Sequence, residues 1–300
     1  MEIAAGVVLL LLAAGAYFVF EHTNLETTQV SLTLSDAAAS PERAQSVPGA
    51  PEGVGTKRTL RTIVVADLHN NRYGRRNERL LAEIRSREPE RILIPGDLVV
   101  NEKKSNRIAL AFLEELAKLH VPVYYSMGNH ECRFREREPE AFAAYRERVR
   151  ELGIFFLDNE RVTDPCGFSV WGLTLPLVYY QKLGKAPELT REALEELLGR
   201  AEGANLLLAH NPAFFPAYAA WGAQATLSGH MHGGVARFPL LGGVISPQWK
   251  LFPKYDAGKF TLGEAQLYVS RGLGTHTLPL RLFNRPELTE LCLSVTLGGV

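Results

Sequence analysis

Residues 91–97 read Arg91-Ile92-Leu93-Ile94-Pro95-Gly96-Asp97. The unbroken aliphatic run is a short strand with both faces covered, as in a parallel sheet. Pro95 and Gly96 end it in a sharp turn and leave Asp97 at the strand's carboxyl end, the edge where open α/β sheets bind ligands. The same phrase recurs on either side. Upstream, the strand 62–66 is followed by Asp67-Leu68-His69; downstream, the strand 121–126 is followed by Gly128-Asn129-His130-Glu131. Apolar residues at helical spacing over 76–86 and 108–119 make the connections between these strands helices, so the fold class is α/β with a mostly parallel sheet.

The second half is richer in strands. Residues 140–152 and 190–201 have amphipathic helical patterns, whereas 168–173, 205–209, 225–228, 267–270 and 288–296 read as strands that close a second sheet. Residues 27–34 alternate like a strand joining a sheet edge. Residues 36–57, rich in Ala, Ser, Pro and Gly, are expected to form a flexible linker. The organisation is then 1–24 as an anchor, 25–58 as edge strand and linker, and 59–300 as one catalytic domain.

Composition excludes several classes. Lys plus Arg and Asp plus Glu are both 33 in 300 residues, so the formal charge is zero and no basic stretch marks a nucleic-acid surface. Cys132, Cys166 and Cys292 are odd in number and lack a CxxC pair, which suggests neither a disulfide framework nor a zinc-thiolate site. The anomaly is residues 3–20, an uncharged run close to the ~20 residues that cross a bilayer. It continues past the cleavage-like Ala14-Gly15-Ala16 and has no basic residues before it, so an uncleaved transmembrane helix is expected over a signal peptide.

The chemistry lies just past the strand ends. Asp67-Leu68-His69, Gly96-Asp97, Gly128-Asn129-His130-Glu131, Ala209-His210-Asn211 and Gly229-His230-Met231-His232-Gly233 all begin where a strand ends, and they hold five of the eight histidines. A single histidine is more often structural than a ligand, but five such segments in one chain point to a metal site. Two divalent ions held close together need carboxylates to offset their repulsion and neutral imidazoles as donors. Such a pair binds phosphate oxygens and sharpens water into hydroxide for an in-line displacement.

In this order the blocks DxH, GD, GNH plus an acid, His and GHxH resemble the calcineurin-like metallophosphoesterases, over residues 61–293. The resemblance implies a four-layer α/β/β/α sandwich, two divalent metal ions (Mn, Fe, Zn or Co) and phosphoester hydrolysis by a metal-bridging hydroxide. It also implies roles: Asp67, His69 and His232 for the first metal, Asn129, His210 and His230 for the second, and Asp97 bridging both. His130 is implied as the group that contacts the substrate phosphate and protonates the leaving oxygen, with Glu131 orienting it. Asn129, His130 and Arg271 form the expected substrate contacts. For Arg271 and Arg281 the alternative is pairing with surface carboxylates.

The chain departs from the protein serine/threonine phosphatase branch, since Leu98 and not Asp follows Gly96-Asp97, and Met127 and not Arg precedes Gly128. Around Leu251-Phe252-Pro253-Lys254-Tyr255, residues 268–281 and Asn284-Arg285-Pro286-Glu287 it is similar to the bacterial YkuE/YaeI-type phosphodiesterases, which implies a phosphodiesterase with phospholipid-like substrates in reach. With the expected anchor, this predicts a single-pass membrane protein whose catalytic domain is extracytoplasmic. Trp249, Lys250, Leu251, Phe252, Lys254 and Tyr255 mix aromatics and cations as a headgroup-level surface does, or as a loop packing onto its own domain. A nucleotide or lipid A precursor pyrophosphohydrolase and a non-catalytic scaffold are the alternative functions.

Overall fold

The computed structural model describes residues 2–36, 56–100, 106–181, 186–234, 236–238, 241–275 and 281–297. Helix α1 (Glu2–Thr23) leads into strand β1 (Glu26–Ser35). Strand β2 (Thr56–Val64), α2 (Glu78–Ser86), β3 (Arg91–Ile94), α3 (Asn106–Ala117), β4 (Val123–Ser126), α4 (Asn129–Arg137), α5 (Pro139–Glu151) and β5 (Phe155–Leu157) come next. The second half contains β6 (Glu160–Thr163), β7 (Ser169–Leu173), α6 (Arg191–Leu198), β8 (Asn205–Ala209), α7 (Phe215–Trp221) and β9 (Ala225–Ser228). The short pair β10 (Arg237–Phe238) and β11 (Gly242–Gly243) precedes β12 (Gly258–Leu262), β13 (Ala265–Val269) and β14 (Glu287–Leu297).

These strands form two six-stranded sheets, ordered β1-β14-β2-β3-β4-β5 and β12-β13-β9-β8-β7-β6, with the β10–β11 pair apart. The inner strands of both are parallel: β2 with β3, β3 with β4, β7 with β8, β8 with β9. Because successive side chains in a strand point to opposite faces, each apolar run supplies two cores. In β3, Ile92 and Ile94 join the helices α2 to α5 on the outer face while Leu93 faces the other sheet. In β8, Leu206 and Leu208 face inward, and Leu207 and Ala209 pack towards α6 and α7. The molecule is thus two sheets face to face, flanked by helices.

β1 is the edge strand the alternation predicted, pairing in parallel with β14 from Glu26↔Glu287 to Ser35↔Thr296. Of the expected linker, residues 37–55 lie outside the described residues, and Thr56 and Lys57 open β2.

The anchor is corrected. Among the described residues no helix is long and apolar enough to cross a membrane, which overturns the single-pass localisation and the extracytoplasmic placement that rested on it. The carboxyl end of α1 is occupied with the domain instead. Glu21 is only 5% exposed. Its carboxylate accepts from the Asn284 backbone N–H at 2.8 Å and from the Tyr17 hydroxyl at 3.1 Å, and the Tyr17 ring lies 5.8 Å from that of Phe283. A carboxylate buried in such a contact ties this end of the apolar run to protein.

Candidate metal centre

Each predicted block sits where its strand stops: Asp67 and His69 after β2, Asp97 after β3, Asn129 after β4, His210 after β8, and His230 and His232 after β9. The two sheets therefore contribute from both sides to one cage. Five of the seven expected metal ligands hold a left-handed backbone: Asp67 at φ 51°, His69 at 45°, Asp97 at 56°, His230 at 70° and His232 at 51°. Non-glycine residues adopt this region at a cost of about 1–3 kcal/mol each, and such strain collects at functional sites.

The glycines beside them are required by close approach. A Cβ on Gly128 would lie 2.1 Å from Asp97 Oδ1, and one on Gly229 would lie 2.4 Å from Asp67 Oδ2. Both distances are far inside van der Waals contact, so the turns pass the carboxylates only as bare backbone.

Three groups of potential ligand atoms fall within 4.8 Å of one another: Asp67, His69 and His232; His69, Asp97 and His130; and Asp97, His210 and His230. Asp97 belongs to two of them. Asp67 Oδ1 is 3.8 Å from His69 Nε2, 3.8 Å from His210 Nε2 and 3.9 Å from His232 Nε2. Asp97 Oδ2 is 3.0 Å from His210 Nε2 and 3.7 Å from His69 Nε2, while the Nε2 atoms of His69 and His232 approach to 3.2 Å. All seven residues are buried.

The far sides of the imidazoles are fixed by backbone carbonyls, which only accept. His210 Nδ1 meets Pro95 O at 2.9 Å and His232 Nδ1 meets Gly274 O at 3.2 Å. Nδ1 therefore carries a proton, and Nε2 of each ring, the atom that could bind a metal, faces the cage. Two buried carboxylates, imidazole lone pairs and the Asn129 amide make a donor set that fits two dications; it does not single out manganese among Mn, Fe, Zn and Co.

The buried carboxylates and imidazoles shift one another. Burial pushes Asp67 up to about 7, with Asp97 adding to the rise and His210 opposing it. Burial also works against the charge on Asp97, but facing His210, His130 and His69 outweighs it and holds that carboxyl well below its usual range. His210 responds in the opposite sense: burial disfavours its cation, yet Asp97 pulls it up to about 9.

The neighbouring residues differ from expectation in detail. Glu131, expected to orient His130, receives the backbone N–H groups of Gly128 (2.8 Å), Asp97 (2.9 Å) and Val99 (3.2 Å) and the Tyr125 hydroxyl (2.8 Å). It knits together the turns that carry Asp97 and His130. His130, in the first turn of α4, donates its backbone N–H to Asp97 Oδ1 at 2.8 Å. The Asn129 amide lies between His230 Nδ1 at 2.9 Å and the Arg133 guanidinium at 2.8 Å. Arg271, expected at the phosphate, is bound elsewhere: its Nε donates to Glu287 at 2.8 Å and its Nη2 to Glu26 at 3.0 Å. Arg281 is buried and meets carbonyl oxygens rather than surface carboxylates. Two residues near the cage were missed: Arg133, and Tyr180, whose ring lies 5.2 Å from that of His230. A helix starting at Asn129 would have placed Arg133 one turn along; Tyr180 leaves no local signal.

A family model described as calcineurin-like phosphoesterase matches residues 60–234, more than half of the chain. The chain belongs to the calcineurin-like phosphoesterases. As such it is a metal-dependent phosphoester hydrolase, and the family uses two divalent metals. Among curated relatives, this phosphoesterase is 28% identical over 240 residues to the YpbG protein of Bacillus subtilis (strain 168), covering 79% of this chain and 82% of that protein. It is 28% identical over 236 residues to the phosphodiesterase YaeI of Escherichia coli (strain K12), covering 77% and 81%. A shorter match, 36% over 92 residues, joins it to the metallophosphoesterase YkuE of Bacillus subtilis (strain 168), covering 31% and 32%.

Proposed function

We propose that this protein is a phosphodiesterase that cleaves amphiphilic, phospholipid-like phosphodiesters. The observation that carries the hydrolytic centre is Asp97, which shares ligand-atom distance with both the His69 and the His210–His230 sides of the cage. Asp67, His69 and His232 would hold one ion, Asn129, His210 and His230 the other, with Asp97 between. Ions bound there supply Lewis acidity and a hydroxide at neutral pH. His130, in the first turn of α4 and grouped with His69 and Asp97, would meet the phosphate and return a proton to the leaving oxygen.

Support for a diester comes from the likeness to the phosphodiesterase YaeI. Support for an amphiphilic one comes from the surface. A cavity lined by Tyr179, Pro187, Phe214, Asn211, Gln248 and Lys250 lies beside the segment that carries His210. The same loop exposes Trp249 (55%), Leu251 (65%) and Phe252 (57%), whereas Tyr255 packs inward against Phe215. An apolar rim with one cation suits an acyl-bearing phosphate better than a bare nucleotide.

The test is hydrolysis of a bis-aryl phosphodiester and of a short-chain phosphodiester lipid by the full chain, with and without added Mn²⁺, beside Asp97→Ala and His232→Ala. Metal-dependent turnover abolished by both substitutions, with the lipid preferred over a cyclic nucleotide, is expected. No turnover by the folded, metal-loaded protein would overturn the diesterase reading, and equal or better turnover of the nucleotide would overturn the lipid-like one.

A further inference from the structure

We infer that Arg281 and Asn284, on the loop that precedes β14, are positioning residues for one half of the metal cage, the half built from Asp67, His69 and His232. This rests on the cage proposed for the hydrolytic centre. Arg281 is 2% exposed, and its Nη2 donates to the carbonyls of Arg271 at 3.0 Å, Gly272 at 3.0 Å and Gly274 at 2.5 Å, while Nη1 reaches Asn284 O at 3.1 Å. Among the described residues no carboxylate pairs with it. Burial lowers its pKa to about 10, which shows how unfavourable the position is for a cation. Asp67 and Glu287 favour its charge only from longer range, so the cation is held chiefly by carbonyl oxygens and fixes those carbonyls in turn.

What it holds is the turn 271–274, and that turn touches the cage twice. Gly274 O accepts from Arg281 and from His232 Nδ1 at once, so the guanidinium and the imidazole share one oxygen. Gly274 N–H donates to Asp67 O at 2.6 Å. Asn284 reaches the same histidine from its backbone side: Nδ2 donates to His232 O at 2.7 Å and to Gly234 O at 2.6 Å. Asn284 is itself pinned by Glu21 of α1 through its backbone N–H. The loop thus fixes both the ring and the backbone of His232, a residue in the left-handed region that persists only where its surroundings over-determine it.

The other half is joined to this one, since the His230 N–H donates to both Asp67 carboxylate oxygens at 3.1 Å and the His69 N–H to Asp97 O at 3.1 Å, but its further supports lie outside the 281–284 loop. His210 is oriented by Pro95 O, and Asp97 by the His130 N–H and by Glu131 at its own N–H. Loosening the 281–284 loop therefore weakens the ion on the Asp67–His69–His232 side more than its neighbour, whereas a merely structural loop would weaken both alike or neither.

The experiment titrates metal-free full-length protein with Co²⁺ by calorimetry and by visible absorption, for wild type, Arg281→Lys, Arg281→Gln and Asn284→Ala, with circular dichroism as the folding control. Lysine keeps the charge but lacks the fork that spans four carbonyls. The expected result is two ions in the wild type and, in each variant, one ion weakened about 10- to 100-fold and the other less, with turnover restored by raising the metal concentration. Two wild-type affinities in the variants, or equal loss of both ions, would overturn the inference. If the Arg281 variants do not fold, Asn284→Ala decides the question alone. A wild-type protein that binds no divalent ion would remove the cage, and the inference with it; two ions in the wild type and two unaltered ions in the variants would remove the inference only.

Discussion

Replacing Glu131 tests how the cage is built. Its carboxyl is fully buried and accepts four hydrogen bonds, from Tyr125 Oη and the N–H groups of Asp97, Val99 and Gly128. Burial, with Asp97 nearby, pushes it up to about 7. Glu131→Ala strands four buried donors, each costing about 1–3 kcal/mol when left unmade. A simple sum gives about 4–12 kcal/mol. Relaxation and water entry reduce this, and single substitutions rarely exceed 4–5, so about 3–5 kcal/mol of stability should go. Glu131→Gln keeps one oxygen for two of the donors and turns an NH₂ towards the others, so about half of that loss is expected. Urea unfolding of chelated protein measures both, with an unchanged m-value as the two-state check. Because the Asp97 and Gly128 turns both lean on this carboxylate, turnover should fall by about 10²-fold or more even where the fold survives, as small misplacements of reacting groups do. An Ala variant within about 1 kcal/mol of wild type, with full activity, would refute the reasoning, since it would mean that the four donors find partners without Glu131.

Other contacts in the fold and the cage carry predictions of their own. Gly128→Ala places a methyl against Asp97 Oδ1, so metal binding and turnover should collapse in a protein whose circular dichroism is still native. Asp164→Ala leaves Arg91, 3% exposed and bonded through Nε at 3.0 Å, as an unpaired buried cation, and strands the Tyr124 hydroxyl as well; a loss of about 3–5 kcal/mol in thermal or urea unfolding is expected, with metal affinity unchanged. Glu21→Ala removes the acceptor for the Asn284 N–H and should cost about 1–3 kcal/mol, read as a lower unfolding midpoint of the full chain.

Much of this was legible because the inner strands are short apolar runs with both faces buried, and because every ligand block begins where such a run stops. Ile92, Leu93 and Ile94 announce a two-faced strand, and Gly96-Asp97 announces its end. Helix α4 was not legible: it starts inside the ligand block at Asn129 behind Gly128, with no Ser, Thr or Asp to signal an N-cap. The partners of Glu131, Arg271 and Arg281 were also invisible, since they depend on how loops turn back on themselves or, for the Glu131–Asp97 and Arg271–Glu26 contacts, on distant segments. Asn284 and Glu21 lie 263 positions apart, and no local pattern encodes their bond. The apolar run 3–20 misled for a related reason: residue type describes what a segment avoids, whereas the buried Glu21 at its end describes what it touches.

The place of β14 has a consequence for synthesis. It lies between β1 and β2, parallel to the first and antiparallel to the second over Thr289↔Val64 to Leu297↔Thr56. Every ligand-bearing segment leaves the ribosome before it does. Until then β2, which aims Asp67 and His69, has one edge without its β14 partner, and an unpaired edge is prone to wrong pairing. Among the described strands β14 comes latest in the sequence and joins β1 to β2, so activity is expected only once it has been made.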